Sequence, residues 1–287
     1  MLMRTPTNRT AAVLLGRVLL WSANYLAWRG LAGLPLMVAH RIRHRLARHR
    51  YTVSDPVLGN ITLRPRSADL HVFLQVVISG EYTAPPRYAA VLRSRIDAVL
   101  AQGRKPLIID GGGNIGLVAR AFATEFPMAQ VVCVEPDAAN HALAIENTRT
   151  CPNVTVLRAA LWSHDTVLDL EDGSVDTWAY KYGETATASG DNRVDALSID
   201  SLIARFPGSD LVLLKLDIEG AEKQALHADA HFWSLRPILY VEPHDWFDGQ
   251  SGSLTGLLRQ PGYHDADWII SGENILVFPK HPAAPPA

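Results

Sequence analysis

From residue 107 onward, short apolar runs alternate with segments whose apolar residues recur at helical spacing. Runs this continuous are typical of strands that are buried on both faces of a parallel sheet. The pattern therefore predicts an α/β fold. The predicted strands are 107–110, 131–135, 154–157, 211–217 and 238–242, and the predicted helices are 117–126, 138–149, 198–206 and 220–231.

Two further patterns flank this alternation. Residues 268–271 and 274–278 are apolar runs on either side of Gly272-Glu273, which predicts an antiparallel hairpin that closes the mostly parallel sheet. Upstream, 59–63 and 72–78 are predicted as strands, and 86–101 as a helix. We divide the chain into an apolar, basic helical arm (1–50), a lead-in (51–106), a Rossmann-like domain (107–280) and a Pro/Ala tail (281–287).

The first 50 residues carry nine arginines and no acidic residue. Arg17 and Arg29 interrupt their apolar stretch, so its longest uncharged run is about eleven residues, fewer than the roughly 20 that a membrane-spanning helix needs. An apolar helix face followed by the basic run 41–50 is typical of a helix that lies on a membrane surface. Packing on the body or on a second subunit, and a cleaved or spanning segment, remain open. The predicted face is Leu14, Leu15, Val18, Leu19, Ser22, Tyr25 and Leu26.

The composition narrows the cellular compartment and the kinds of partner that are expected for this protein. The two cysteines, Cys133 and Cys151, form neither a disulfide framework nor a metal-binding spacing, and Cys133 lies in an apolar run, so a buried thiol in a reducing compartment is expected. Basic residues without interleaved aromatics argue against nucleic-acid binding. We expect a cytoplasmic protein, with peripheral contact at the inner membrane surface or homo-oligomer formation left open.

The stretch LIIDGGGNIG (107–116) is the strongest local signal. A strand, a glycine turn and a helix in this order predict the start of a nucleotide-binding βαβ unit, because the turn is tight and the ligand approaches the main chain closely. Asp110 ends this strand, and Glu135 ends the next one, where a carboxylate can accept hydrogen bonds from ribose hydroxyls. A dinucleotide and S-adenosylmethionine both fit this pattern.

The second half of the chain indicates which of these two ligands is favoured. A dehydrogenase would place a Lys, His or Tyr acid/base near its nicotinamide, whereas the segment KLDIEGAE (215–222) directs acidic residues to the same crevice. Asp217 and Glu219 follow the fourth predicted strand, and Glu242 and His244 follow the fifth. Because uncompensated buried carboxylates are costly, so many acids at one sheet edge indicate a functional site.

Several ordered blocks resemble the FkbM family of S-adenosylmethionine-dependent methyltransferases, and the resemblance extends from about Gly59 to Pro279. One departure is Gly112-Gly113, where the family more often has a single Gly followed by Ala; we expect this change to be tolerated because it only loosens a turn. The blocks are RSADLHVF…GEY (66–82), DGGGNIG (110–116), VEPDAAN (134–140), VDALSIDSLI (194–203), KLDIEGAE (215–222), VEPHDW (241–246) and GENILVFP (272–279).

The resemblance implies a class I methyltransferase sheet and O-methylation of a hydroxyl on a carbohydrate, glycolipid or natural product. It also implies a cofactor site in which Glu135 takes the ribose hydroxyls. An NAD(P)-dependent oxidoreductase, or a non-catalytic cofactor-binding module tethered by the arm, remains the alternative. The implied S-adenosylmethionine-binding residues are Asp110, Gly111, Gly113, Asn114, Gly116, Glu135, Ala160 and Leu161.

Methyl transfer needs a positioned acceptor oxygen and a group that takes its proton. Asp217 is the first candidate for this role and His244 the second, with Glu219 beside them. Asp217 and Glu219 could instead cap a helix that starts at Gly220. A divalent cation on Asp217, Glu219 and Glu242 is conceivable, but spacing does not support it, so no metal ligand is assigned. The predicted substrate-contacting residues are Tyr82, Trp178, Tyr180 and Glu242.

Overall fold

The computed structural model describes residues 21–171, 181–183, 193–245 and 252–280. They form two compact units, one that ends at Gly80 and one that begins at Glu81. This division falls inside the predicted lead-in, so residues 51–80 and 81–106 belong to different units. Among the described residues, no helix combines the length and the hydropathy that crossing a membrane would require.

The first unit combines helices with a two-stranded antiparallel hairpin. A 3-10 turn at Gly30–Ala32 joins its first two helices, and a π-helical turn at Leu74–Ile78 extends its third. Its elements are α1 (residues 21–29), α2 (Gly33–Leu46), β1 (Tyr51–Asp55), β2 (Gly59–Leu63) and α3 (Asp69–Phe73).

One prediction for this unit is wrong, and one alternative for the arm gains support. The segment 72–78 is helical rather than extended, because its buried residues Leu70, Phe73 and Leu74 continue a helical spacing that begins before Val72. Tyr25, from the predicted apolar face of the arm, packs within this unit, which agrees with the packing alternative left open for that face. It is buried, and its hydroxyl forms a 2.8 Å hydrogen bond with Nδ1 of His40, whose pKa burial lowers to about 4.

The second unit contains the predicted parallel sheet. Its strands lie in the order β12-β13-β11-β10-β3-β4-β5, and β13 runs in the opposite direction to the other six. The predicted mostly parallel sheet, closed by an antiparallel C-terminal hairpin, is therefore confirmed. The strands are β3 (Lys105–Gly111), β4 (Gln130–Val134), β5 (Val154–Leu157), β10 (Ser209–Leu216), β11 (Ile238–Val241), β12 (Asp267–Ser271) and β13 (Asn274–Phe278).

The connecting segments include one sheet that the sequence pattern did not predict. Four short strands in the order β6-β9-β7-β8 form it between β5 and β10. These strands are β6 (Ala160–Leu161), β7 (Thr166–Glu171), β8 (Lys181–Gly183) and β9 (Arg193–Leu197). The helices of this unit are α4 (Pro86–Ala101), α5 (Leu117–Glu125), α6 (Ala138–Thr148), α7 (Ile199–Ala204), α8 (Glu222–Ala225) and α9 (Ser253–Leu258).

The helix predicted over 220–231 is much shorter than expected. Only α8 and a separate 3-10 turn at His231–Leu235 form. Gly220 has a φ of +98°, and the Glu222 carboxylate accepts hydrogen bonds from the backbone N–H groups of Ile218 and Gly220. These contacts stabilise a tight turn directly after β10, and they delay the start of the helix.

The glycine turn after β3 fits closely against its neighbours. The N–H groups of Gly112 and Gly113 both donate to the carbonyl oxygen of Val134 at 3.0 Å. A Cβ atom on Gly112, whose φ is +72°, would lie 1.7 Å from the Asp217 carbonyl oxygen. A Cβ atom on Gly113 would lie 2.1 Å from Sγ of Cys133. Gly113 therefore does not simply loosen the turn, because the buried Cys133 thiol occupies the space that an alanine methyl would need.

The Gly113–Cys133 contact predicts non-additive stability changes. Gly113→Ala should destabilise the protein by about 1–3 kcal/mol through overpacking. In the Gly113→Ala/Cys133→Ala double variant, the loss should be smaller than the sum of the two single losses, because the thiol is gone. Denaturant unfolding of the four proteins measures this coupling.

A matched control is Gly256→Ala, because a Cβ there meets no atom within 4 Å. This variant should unfold at the wild-type denaturant concentration or above it. Additive losses in the double variant would show that Cys133 does not dictate the glycine at position 113.

Candidate active site

The buried side chain of Lys215 connects the ends of β3 and β10. Its Nζ donates to the carbonyl oxygens of Gly111 at 3.1 Å and Gly112 at 2.7 Å, and it lies 3.2 Å from Oδ1 of Asp110. Lys215 is 1% exposed and Asp110 is fully buried. Burial lowers the pKa of Lys215, but the carboxylates of Asp110 and Asp217 raise it well above its ordinary value. A charged ammonium therefore fixes the glycine turn.

Asp217 is the accessible carboxylate beside this turn, with a side chain that is 23% exposed. The Tyr82 hydroxyl donates to its Oδ2 at 3.4 Å, and Lys215 Nζ lies 3.6 Å from the same oxygen. The Asp217 N–H donates to the carbonyl oxygen of Gly111 at 3.2 Å. Backbone and side chain of Asp217 are thus both held against the glycine turn.

Glu135 closes the other side of the turn. Its Oε2 accepts a 2.7 Å hydrogen bond from the N–H of Asn114, and its Oε1 accepts one of 2.9 Å from the N–H of Asp137. Burial raises the pKa of Glu135 to about 7, although these hydrogen bonds lower it. The carboxylate thus lies beside the turn and the start of α6, which is capped by Asp137.

His244 lies at the end of β11 among three glutamates. Its Nδ1 is 3.0 Å from Oε1 of Glu222, and its Nε2 is 3.4 Å from Oε2 of Glu219 and 3.6 Å from Oε1 of Glu242. Burial lowers the pKa of His244, but the hydrogen bond and charge of Glu222, with the charges of Glu219 and Asp217, raise it to about 9. The imidazole is therefore well suited to positioning the carboxylates.

Negative charge is crowded at this edge of the sheet. Burial, followed by the charge of Asp217, raises the pKa of Glu219 to about 8 and that of Glu242 to about 8. Glu219 also has a φ of +55°, a left-handed conformation that is uncommon for a residue other than glycine. Strained, crowded acids of this kind are typical of functional sites.

The alternative that Asp217 and Glu219 cap the following helix is wrong. The N-cap of α8 is Ala221, which makes no side-chain capping bond. The N–H groups that precede this helix are instead bound by Glu222. Asp217 and Glu219 therefore remain directed to other partners, which are Tyr82 and Lys215 for Asp217, and His244 for Glu219.

The structure brings most of the predicted residues together. Tyr82, Asp217, Glu219, Glu242 and His244 form one connected group. Ala160 and Leu161 are buried in β6, where Cδ1 of Leu161 lies 2.5 Å from the position that a Cβ on Gly111 would take. Trp178 and Tyr180 lie outside the described residues.

Three residues of this site were missed by the sequence reasoning, which gave them no role. Lys215 had a recognisable signal, since it is the single charge in the apolar run LVLLKL (211–216). Glu222 and Asn274 had none, because a helical glutamate and a hairpin asparagine are ordinary on a surface. Their importance follows from burial, which is 1% exposure for Glu222 and 0% for Asn274.

Among solved structures, the chain is similar to the methyltransferase FkbM of Methylobacillus flagellatus KT, with 18% identity and a TM-score of 0.40. The match covers 61% of this chain and 43% of that one, so the chain spans less than half of the Methylobacillus protein. It is also similar to the SAH-bound methyltransferase PaMTH1 of Podospora anserina, with 10% identity, a TM-score of 0.37, and coverage of 88% and 97%. None of the curated proteins matches the chain.

The chain also matches one family model. The model of the methyltransferase FkbM domain matches residues 110–264, from the last acid of β3 to the segment before the closing hairpin. That range includes the glycine turn and the acids that follow β4, β10 and β11. Because the match extends over more than half of the sequence and contains these groups, the chain belongs to the FkbM methyltransferase family.

Proposed function

We propose that the chain is an S-adenosylmethionine-dependent O-methyltransferase that acts on a hydroxyl of a carbohydrate, glycolipid or natural product. The observation that carries this proposal is Asp217, an accessible carboxylate held through Oδ2 by Tyr82 and Lys215 beside the glycine turn. A carboxylate in this position can accept the hydrogen bond of an acceptor hydroxyl and take its proton.

The residues present fit the proposed cofactor. Asp110 is a fully buried carboxylate whose Oδ1 lies 3.2 Å from Lys215 Nζ, and because a carboxylate can accept about four hydrogen bonds, it keeps acceptor capacity for an amino-group donor. Glu135 supplies a second buried carboxylate for ribose hydroxyls. Asp110 and Asn114 would bind the methionine end of the cofactor. The main chain at Gly111, Gly113 and Gly116 would lie against the cofactor. Ala160 and Leu161 would contact the adenine.

When bound, S-adenosylmethionine supplies an electrophilic methyl group on a positively charged sulfonium. Asp217 orients the acceptor oxygen and receives its proton, while Tyr82 and Lys215 fix the carboxylate. His244 acts as a positioning residue, because both of its ring nitrogens already face glutamates and neither is directed to an acceptor hydroxyl. Glu242 and Tyr82 are the described residues proposed to contact the acceptor.

The oxidoreductase alternative is less well supported by the same contacts. Lys215 has three ammonium donors, and three oxygens of Asp110, Gly111 and Gly112 lie within 3.2 Å of them. Both nitrogens of His244 face glutamates. Neither group is therefore placed to act as the acid or base of a hydride transfer. A direct comparison of S-adenosylhomocysteine and NAD binding tests this alternative.

The cofactor proposal predicts selective binding of S-adenosylhomocysteine. Calorimetric titration should show saturable binding of this nucleoside and none of NAD. Glu135→Gln should weaken its binding by about 10–100-fold, because hydrogen bonds to a charged carboxylate contribute about 1.5–3 kcal/mol. Glu125→Gln, on the exposed ion pair with Arg93, is the matched control and should bind like the wild type. Saturable NAD binding without S-adenosylhomocysteine binding would contradict the proposal.

The catalytic assignment predicts that Asp217→Asn lowers the rate of methyl transfer by about 10²–10⁴-fold. Its affinity for S-adenosylhomocysteine should stay within about threefold of the wild type, since the lost group handles the acceptor proton. Mass spectrometry of a hydroxylated-metabolite and glycan extract measures products that gain one CH₂. The exposed Asp97→Asn is the control, and unchanged product formation in Asp217→Asn would remove Asp217 from this role.

We propose further that the first unit contacts an anionic membrane surface, as a peripheral protein of the cytoplasmic face. Its exposed apolar residues lie along one stripe of α2 and the preceding turn, with Leu31 86% and Leu46 73% exposed. The stripe is accompanied by arginines and by no acid within the first 50 residues, which complements anionic lipid. The stripe residues are Leu31, Leu34, Val38, Ile42 and Leu46.

The membrane proposal predicts that Val38→Ser/Ile42→Ser lowers partitioning onto phosphatidylglycerol vesicles by about tenfold, because two exposed apolar side chains are lost. Vesicle sedimentation measures the partition coefficient, and Met128→Ser, an exposed apolar site of the second unit, is the control. Unchanged partitioning contradicts the proposal. A concentration-dependent dimer that the double variant disrupts, without vesicle binding, would assign the stripe to a second copy of the chain.

A further inference from the structure

Three side chains at the ends of β10 and β11 converge on one point. Asp217, Glu242 and His244 each offer a ligand atom, and these atoms lie within 4.8 Å of one another. Two donors on opposite sides of one small cation, each about 2.0–2.3 Å from it, lie about 4.0–4.6 Å apart, so these atoms are close to the spacing that one shared cation requires. The set differs from the one considered from the sequence, since His244 takes the place of Glu219.

The orientation of His244 suits a metal ligand. Its Nδ1 faces Oε1 of the buried Glu222 at 3.0 Å, so that Nε2 is directed towards the acidic group. Glu222 is itself fixed by the N–H groups of Ile218 and Gly220. A carboxylate behind a histidine in this way is the usual arrangement that fixes the tautomer and the ring of a metal-bound imidazole.

Asn274 gives a second, independent indication of a ligand. Its side chain is 0% exposed, and neither its oxygen nor its nitrogen makes a hydrogen bond of good geometry within the described residues. Asn274 and Glu242 are the residues next to Ile275 and Val241, which pair between β13 and β11, so both lie at the same end of this ladder. The Asn274 side chain also lies beside the Tyr82 hydroxyl. A buried amide whose polar atoms are incompletely hydrogen-bonded is costly, and a bound ligand would satisfy them.

We infer that Asp217, Glu242 and His244 bind one divalent cation, with the amide oxygen of Asn274 as a further ligand. Two carboxylates and an amide favour Mg²⁺ or Mn²⁺, and the imidazole shifts the preference towards Mn²⁺. The inference rests on the proposed function, because the cation would attract and acidify the same acceptor hydroxyl that Asp217 faces. The competing explanation is a metal-free ion network centred on a protonated His244.

The test is a titration of the metal-stripped full chain with Mn²⁺. Electron paramagnetic resonance measures the concentration of free Mn²⁺ at each point of the titration. One saturable site is expected. Glu242→Gln and Asn274→Ala should each raise the Mn²⁺ Kd at least about tenfold, as loss of a ligand does. Glu125→Gln, the same change in an exposed ion pair at the end of α5, is the matched control and should keep the wild-type Kd.

A second measurement needs no variant and therefore does not depend on folding. Electron spin-echo modulation of the wild-type Mn²⁺ complex should show ¹⁴N coupling from a directly bound imidazole. A spectrum without nitrogen coupling, or equal Kd values in wild type and Glu242→Gln, would overturn the inference.

Titration of the same preparation with S-adenosylhomocysteine tests the cation site and the proposed methyltransferase function separately. Binding of the nucleoside without a saturable Mn²⁺ site overturns the cation site alone and leaves the methyltransferase proposal intact. A saturable, Glu242-dependent Mn²⁺ site in a protein that does not bind the nucleoside supports the cation site and overturns the proposed function.

Discussion

The buried ammonium of Lys215 is the contact on which the rest of the site depends. A charge that is removed from water must be compensated, and breaking such a buried pair by removing one partner typically costs about 3–5 kcal/mol. Here the compensation comes from the carbonyl oxygens of Gly111 and Gly112 and from Asp110. Because these groups belong to β3 and the turn that follows it, and Lys215 belongs to β10, the glycine turn cannot move independently of the neighbouring strand.

The chemistry of the site follows from where parallel strands end. The acids after β10 and β11 are separated by more than twenty residues in the chain, but adjacent strands place them side by side. Glu222 and His244 then hold this group together, since one carboxylate binds two backbone N–H groups and the imidazole at once. Asp217 lies between the glycine turn and this group of acids. It contacts Lys215 on one side and lies beside the acids on the other.

The sequence predicted what depends on local pattern and missed what depends on burial. Continuous apolar runs located the strands of the main sheet, and glycine spacing located the turn between β3 and α5. The small sheet escaped because its strands are short and partly polar, and 72–78 was misassigned because an apolar run was considered without Leu70. Lys215, Glu222 and Asn274 are polar residues whose roles appear only once neighbouring strands bury them.

The excess of carboxylates also bears on which nucleotide the glycine turn can hold. A dinucleotide brings a pyrophosphate, and its negative charge would be repelled by nearby Asp110 and Asp217 unless a cation that is not already paired compensates it. Lys215 is the cation at this turn in the described part of the chain, and its donors are directed to protein oxygens. A sulfonium carries the opposite charge and is attracted by the same acids. The electrostatics of the strand ends, more than the glycines themselves, therefore favour S-adenosylmethionine over a dinucleotide.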